Sequence, residues 1–502
     1  MATPIPKNDA HFSLAEIAAV TAGRLIGGAP DAQVSSVAID SRAVSAGALF
    51  VAIRGDSVDG GAYIPAALSA GAAALLVSPT TVESASHASS DAQLSSVARI
   101  EVADTTRALG DLAAYHRKRW GGRVIAITGS AGKTTTKELT AAALEGAGAH
   151  VLKTLGNLNN QFGVPMMLLC ATAQHDTAVL ELGTSGPGEI ARLGEIAAPE
   201  VATVLLAALA HTEGLGSLAA VADEKASLWR SLAASDTAIV NADDVELMRR
   251  APSFIPEGVK RLSFGSAAGA SVRLLSTTLS VRGTRAKVAI AGMPGQPELE
   301  LTLRLIGQAA AIDACAAIAA VLALFPEDEL SARVEAAVLA LAKLEPTPGR
   351  MACIPTRSGV TVVDDTYNAN PSSMALGLET LHALASEAGG RSIAVLADMK
   401  DLGRFAHDEH VRIGELSVRL GIDVLLGCGT EMAHATSAAA RLSGGRLAPH
   451  PTRVAHVLAT ADAVALVHGM CRAGDVVLVK GSRAMQMEQV AALLVAQFGG
   501  PA

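Results

Sequence analysis

Three observations in the sequence predict an α/β protein of three domains. Apolar runs of strand length alternate with helical patterns along most of the chain, the signature of mainly parallel sheets with helical crossovers. A glycine turn, Thr128-Gly-Ser-Ala-Gly-Lys-Thr134, sits between the apolar run Val124–Ile127 and the helical pattern Lys137–Leu144. A Pro/Gly hinge, Glu345-Pro-Thr-Pro-Gly-Arg350, is followed by a fresh round of alternation that begins at Val360. The boundaries fall near 104 and 345. Residues 1–104 form a small N-terminal α/β domain, 105–345 a central P-loop nucleotide-binding domain with a mainly parallel sheet, and 346–502 a C-terminal Rossmann-like domain.

In the first domain a helix is expected over Leu14–Ala22, and strands within Val34–Arg42, Gly47–Ile53 and Ala66–Val77. Asp40, Ser41 and Arg42 stand together at a strand end, where hydroxyl and guanidinium donors suit a phosphorylated ligand, although a solvated turn fits the spacing equally well. The polar stretch Thr80–Ser96 reads as a surface loop. A helical pattern from Asp104 to Trp120 then leads into the glycine turn.

That turn is the most specific signal in the chain. Gly129 and Gly132 let the backbone of Gly129, Ser130, Ala131 and Gly132 curl tightly enough to aim N–H groups inward, and the helix that follows adds the positive end of its dipole. Lys133 would reach the β/γ-phosphates of a nucleotide, Thr134 would hold Mg²⁺, and Thr135 extends the cradle. Ile127 stands where a full Walker A pattern has its first glycine, so the loop is the shorter G-x-x-G-K-T form; without its strand and helix flanks, that form could be an ordinary turn.

Three further clusters lie in the central domain. The amide-rich loop Thr154–Pro165, with Asn157, Asn159 and Asn160, suits the positioning of a polar substrate. The apolar strand Ala178–Leu180 ends in Glu181, as a second-strand acid offered to Mg²⁺ would. His211-Thr-Glu-Gly precedes a helix bearing Lys225. Each alone also fits a solvated charge or a satisfied surface side chain. In the C-terminal domain the strand ends carry Asp364-Asp-Thr-Tyr-Asn-Ala-Asn370, Asp398-Met-Lys-Asp and Lys480-Gly-Ser-Arg483, on the edge where clefts form.

Composition narrows the classes. A net charge of −8 with 3% aromatic residues runs against a broad nucleic-acid surface. Apolar runs stop well short of the ~18 residues needed to span a bilayer, and Met1–Leu14 has no apolar core of a signal peptide. The five cysteines lack C-x-x-C spacing, which points away from zinc and disulfide frameworks. The expected setting is the cytoplasm, with no membrane insertion and no nucleic-acid partner.

Taken in order, these motifs resemble the ATP-dependent Mur ligases of peptidoglycan synthesis over nearly the whole chain. Tyr367-Asn-Ala-Asn-Pro-Ser-Ser-Met374, Asp398-Met with Leu402-Gly403 and His410, and Lys480-Gly-Ser-Arg483 with Glu488 are most similar to the branch that adds a terminal dipeptide. The resemblance implies a monomeric enzyme that uses ATP and Mg²⁺ to join UDP-N-acetylmuramoyl-tripeptide to D-alanyl-D-alanine through an acyl phosphate. It assigns uridine diphosphate to the first domain, ATP to the second and the dipeptide to the third. It gives Lys133 the phosphates, Thr134, Glu181 and His211 the metal, and Lys225 a carbamate modification. Asn241 and Asp243 fall at an adenine-side motif, Arg350 and Lys480 at phosphate or substrate carboxylate, and Asp365, Asn368 and Asn370 at the dipeptide. The chain departs from the family at Thr184-Ser-Gly186, Leu206, Gln308-Ala-Ala310, Asp313 and Gly61. The sister ligase that adds the third residue, a folylpolyglutamate synthetase, an inactive binding relative and a nucleic-acid motor are the other readings.

Overall fold

The computed structural model describes residues 3–55, 59–86, 97–209, 215–293, 298–445 and 449–502. Within them the chain forms three sheet-bearing α/β regions.

The central region is built on nine strands, in the spatial order Leu299–Leu303, Gly283–Ile290, Val272–Ser280, Lys260–Gly265, Thr237–Asn241, Val201–Val204, Arg123–Thr128, Thr177–Glu181 and Val151–Lys153. The strands from Val151 through Val272–Ser280 pair in parallel; the last two pair antiparallel. Strands such as Val124–Ile127 and Ala178–Leu180 are apolar at successive positions because helices cover both faces. One face packs on Thr105–Trp120, Gly163–Leu169 and Glu189–Ala197, and its apolar core continues into the N-terminal region through Phe12, Leu49, Leu76 and Ile100. The other face packs on Lys133–Gly146, Leu330–Leu341 and the alanine-rich helix Gln308–Leu324, buried on nearly every side. Each buried Val, Leu or Ile adds about 1.5–3 kcal/mol to this burial.

The N-terminal sheet runs Arg24–Ile26, Ala98–Glu101, Ala74–Val77, Leu49–Val51, Val37–Ala38, parallel except for its first pair. The stretch read as a surface loop from Thr80 is instead helical over Pro79–Ser86; Pro79 suits a first helical position, and Thr81 is fully buried. Residues 87–96 lie outside the described residues.

The C-terminal sheet runs Ala352–Pro355, Thr361–Asp365, Val476–Lys480, Ser392–Ala397, Val424–Cys428, Arg453–Val457, parallel after the first antiparallel pair. Its core takes in Ile306, Leu279 and Val281 from the central region, an apolar seam between the two.

Candidate functional site

The phosphate-loop strand Arg123–Thr128 lies between Val201–Val204 and Thr177–Glu181, and Glu181 is level with Ile127 in the pairing register. The loop and the acid therefore emerge side by side at the carboxyl edge. Gly132 turns the chain into the helix with φ +82°, a left-handed conformation that costs a side chain strain; a Cβ there would also lie 3.0 Å from Asp313 Oδ1.

In this ligand-free arrangement Lys133 Nζ donates back to the Gly129 carbonyl at 2.7 Å. Burial holds the Lys133 pKa below the usual lysine range, with Arg350 adding repulsion and Glu181 opposing the shift. Glu181 is 3% exposed and accepts two hydrogen bonds, from Thr134 Oγ1 at 2.9 Å and from Asn159 Nδ2 at 2.8 Å. Asn159 can come this close because residue 183 is glycine, whose absent Cβ would sit 3.0 Å from the Asn159 Cγ. Asn160 Oδ1 accepts from the Phe162 and Gly163 N–H groups in the turn that leads into the helix Gly163–Leu169, and the Asn157 N–H donates to Thr3 Oγ1.

The C-terminal sheet brings its own carboxyl edge to the loop. Arg350 Nη2 donates to Thr134 Oγ1 at 3.0 Å, with its guanidinium 3.9 Å from the Tyr367 ring centre. Asn370 caps the helix Pro371–Ala388, and its Nδ2 donates to the Ser130 carbonyl at 3.2 Å. Lys480, fully buried, is held by Asp365 Oδ2 at 2.6 Å and the Asn368 carbonyl at 3.0 Å. Between the two edges lies a cleft of about 660 Å³, whose walls include Ser130 to Thr135, Asn157, Asn159, Asn160, Glu181, Arg350, Asp365, Asn368, Asn370 and Lys480.

Lys225 lies in the last turn of the helix Leu218–Ala226 and is 2% exposed, with no hydrogen bond or ion pair among the described residues. Burial first, and then repulsion from Lys133, push its pKa well below the usual lysine range, against the attraction of Glu224, Glu189 and Glu181. A neutral amine is the form that reacts with carbon dioxide. His211 lies outside the described residues.

Other residues singled out in the sequence are not brought to the cleft. Asn241 Nδ2 donates to the Leu205 carbonyl, and the Asp243 carboxylate accepts from Ser266 and Ala267 N–H, so in this arrangement both hold the loops beside them. Arg42 folds back on Asp40 in a two-pronged exposed pair, and Ser41 begins the short 3-10 turn between them and Val44.

Sequence reasoning missed Glu224, whose carboxylate accepts from Gly188 and Ile190 N–H and so holds the loop after Glu181. It noted Asp313 only as a departure; the structure places it against the phosphate loop, where burial pushes its pKa up to about 7. Tyr367 and Arg483 also line the cleft, and in the sequence they are only letters of longer motifs. Neighbouring charges in the sequence, Asp223-Glu-Lys225, were the available signal for Glu224; nothing local marked Asp313.

A phosphate loop backed by a carboxylate strand, facing cationic and amide groups from a second parallel sheet, defines a nucleotide-using enzyme that works between domains. Comparison with known proteins places it more closely. Residues 33–117 match the Mur ligase family catalytic domain, 127–321 the Mur ligase middle domain, and 349–483 the Mur ligase glutamate ligase domain. A relative from Escherichia coli K12, UDP-N-acetylmuramoyl-tripeptide–D-alanyl-D-alanine ligase, is 33% identical over 95% of this chain and 97% of its own. A crystal structure of MurF from Acinetobacter baumannii superposes with a TM-score of 0.83 at 27% identity, covering 98% of this chain and all of the other. MurF ligase from Thermotoga maritima in complex with ADP gives 0.77 at 26% identity, covering 92% and 97%. The chain belongs to the Mur ligase family, and it is an ATP-dependent ligase.

Proposed function

We propose that this ligase joins D-alanyl-D-alanine to UDP-N-acetylmuramoyl-tripeptide in peptidoglycan precursor synthesis, releasing ADP and phosphate. The observation that carries the reading is the meeting of two sheet edges on one cleft: Thr134 and Glu181 from the central region, and Arg350 and Asn370 from the C-terminal region, within hydrogen-bonding distance of each other or of the phosphate loop. Curated relatives of that activity, matched over nearly the full chain, support it.

A carboxylate is a poor acylating agent, so the tripeptide carboxylate first attacks the γ-phosphorus of ATP; ADP leaves and an acyl phosphate forms. The dipeptide amine then attacks the acyl carbon, phosphate leaves with the bonding pair, and the amine gives up a proton. The protein contributes position and charge neutralisation. Lys133 and the loop N–H groups face the phosphates, and Arg350 meets the transferred phosphoryl group from the opposite sheet. Asn159 orients Glu181, while Asp365 and Asn368 fix Lys480 at the dipeptide side. Asn157 and Asn160 lie where the tripeptide would pass.

The donors at Thr134 and Glu181 fit Mg²⁺. A hydroxyl and a carboxylate are hard oxygen ligands, as suits a cation that keeps water and phosphate oxygens for most of its shell. Bound there with His211, it would supply further neutralisation of the phosphates; a carbamate on Lys225 would add a compensating anion. Residues 1–104 would hold the uridine diphosphate, 105–345 ATP and 346–502 the dipeptide, in a cytoplasmic monomer. No helix among the described residues is long and apolar enough to cross a membrane.

The test is ADP and phosphate release with each substrate omitted in turn. Turnover should require ATP, the UDP-linked tripeptide and D-alanyl-D-alanine together. Turnover with a UDP-linked dipeptide and a diamino acid in their place would overturn this reading in favour of the sister ligase.

A further inference from the structure

The incoming dipeptide has two ends. Its amine must reach the acyl phosphate near Thr134 and Arg350, and its free carboxylate must be held elsewhere. The cations on the C-terminal edge of the cleft divide by how far they are already engaged. Lys480 is buried and taken by Asp365 and the Asn368 carbonyl. Arg350 is turned to the phosphate loop. Arg483 and Lys400 remain, both on the cleft wall and about half exposed, with side-chain exposures of 52% and 41%.

These two are built into one position. Arg483 follows the strand Val476–Lys480 and Lys400 follows its neighbour Ser392–Ala397. The Lys400 N–H donates to Ser482 Oγ at 2.8 Å and the Ser482 N–H to the Asp398 carbonyl at 3.1 Å, tying the two loops together. Their acidic neighbours leave capacity for another anion. Asp398, which meets Lys400 Nζ at 3.0 Å, already accepts from the Glu431 and Met432 N–H groups at a helix start. Glu488 lies 3.3 Å from Nη1 of Arg483, and the remaining guanidinium nitrogens have no partner among the described residues.

The Tyr367 ring lies close to both guanidinium groups, its centre 3.9 Å from that of Arg350 and 5.9 Å from that of Arg483. An extended dipeptide spans roughly 7 Å, so one short ligand can reach from the neighbourhood of one arginine to that of the other.

We propose that Arg483, with Lys400 beside it, is the receptor for the free terminal carboxylate of the incoming dipeptide. This rests on the function proposed above. From here it follows that the acceptor's negative charge, rather than its methyl groups alone, is read by the C-terminal sheet.

The experiment compares D-alanyl-D-alanine with its C-terminal amide as acceptors for the wild-type ligase, Arg483→Ala and Arg483→Lys, following ADP release. Wild type should show a KM for the amide about 10- to 100-fold above that for the acid, the loss of one charge-assisted contact. Arg483→Ala should raise the KM for the acid by a similar factor, leave kcat and the KM for ATP within about threefold, and abolish the preference for acid over amide; Arg483→Lys should recover part of it. A wild type that uses acid and amide alike, or an Arg483→Ala enzyme that keeps the preference, overturns the proposal while leaving the overall reaction standing. Absence of turnover with the acid itself overturns both. Retained ADP binding and an unchanged melting curve establish that the variants are folded.

Discussion

That Lys133 and Glu181 would come together at one strand edge was legible in the sequence because their neighbours announce them: glycines before the lysine, an apolar strand before the glutamate. Removing the Lys133 ammonium takes away a charge aimed at the phosphates, and Lys133→Ala should lower the rate of ADP release by about 10²–10³-fold; undiminished turnover in the coupled assay would refute the assignment. Asp313 was not legible as a site residue, because its importance comes from the helix Gln308–Leu324 laying it against a loop some 180 positions earlier. Burial raises its pKa from 3.8 to about 7, so the folded protein holds a proton that the unfolded chain releases. Its favourable contribution is complete below 3.8 and is lost as pH rises through about 7. Asp313→Asn should therefore gain stability over wild type progressively across that window and stay level above it, by on the order of 4 kcal/mol. Melting curves from pH 4 to 9 check this; a constant difference at every pH would mean that the proton is not involved.

Among the elements, the parallel strands were readable because both faces are buried and their apolar runs are unbroken. The antiparallel hairpin Val272–Ile290 was absorbed into the general alternation, since a register shift near Leu274 and Ser276 blurs its period. The helix Pro79–Ser86 was hidden by its polar composition. One link between elements is chemically unusual. Lys137, one turn beyond Lys133 and 2% exposed, donates to the Thr154 carbonyl at 2.8 Å and pairs with Glu138 at 2.7 Å. The Thr154 hydroxyl in turn accepts the Glu181 N–H at 2.9 Å, so the helix that carries the phosphate loop also sets the strand end that carries the acid. Lys137→Met should cost about 2 kcal/mol of stability, because Glu138 keeps its second partner Lys153. It should also weaken the response to added Mg²⁺, measured as the concentration giving half-maximal turnover. A variant as stable and as Mg²⁺-responsive as wild type would show that the bridge is idle.

At the scale of the whole molecule, two kinds of contact join the central and C-terminal regions. The apolar seam of Leu279, Val281 and Ile306 is indifferent to ligands, whereas the bonds from Arg350 to Thr134 and from Asn370 to Ser130 use groups that a nucleotide would also claim. A non-hydrolysable ATP analogue bound at a hundred times its Kd should stabilise the protein by about 2.7 kcal/mol, seen as a higher unfolding temperature for the central transition. Arg350→Ala should shrink that shift; an undiminished shift would mean that Arg350 does not meet the nucleotide. The division into three α/β regions was visible from the Pro/Gly hinge and the restart of alternation, but the pairing of edges was not, because residues more than 200 positions apart meet only after the sheets have formed. The stacking of Arg350 on Tyr367 has an optical consequence. The chain has two tryptophans, Trp120 and Trp229; neither lines the cleft, and Trp229 is fully enclosed in the central core. An indole at position 367 would add, among the described residues, an emitter on the cleft wall to two tryptophans that lie away from it and so give a background independent of the cleft. Its wavelength and intensity would follow the arginine's departure and return in real time, giving each turnover a visible clock.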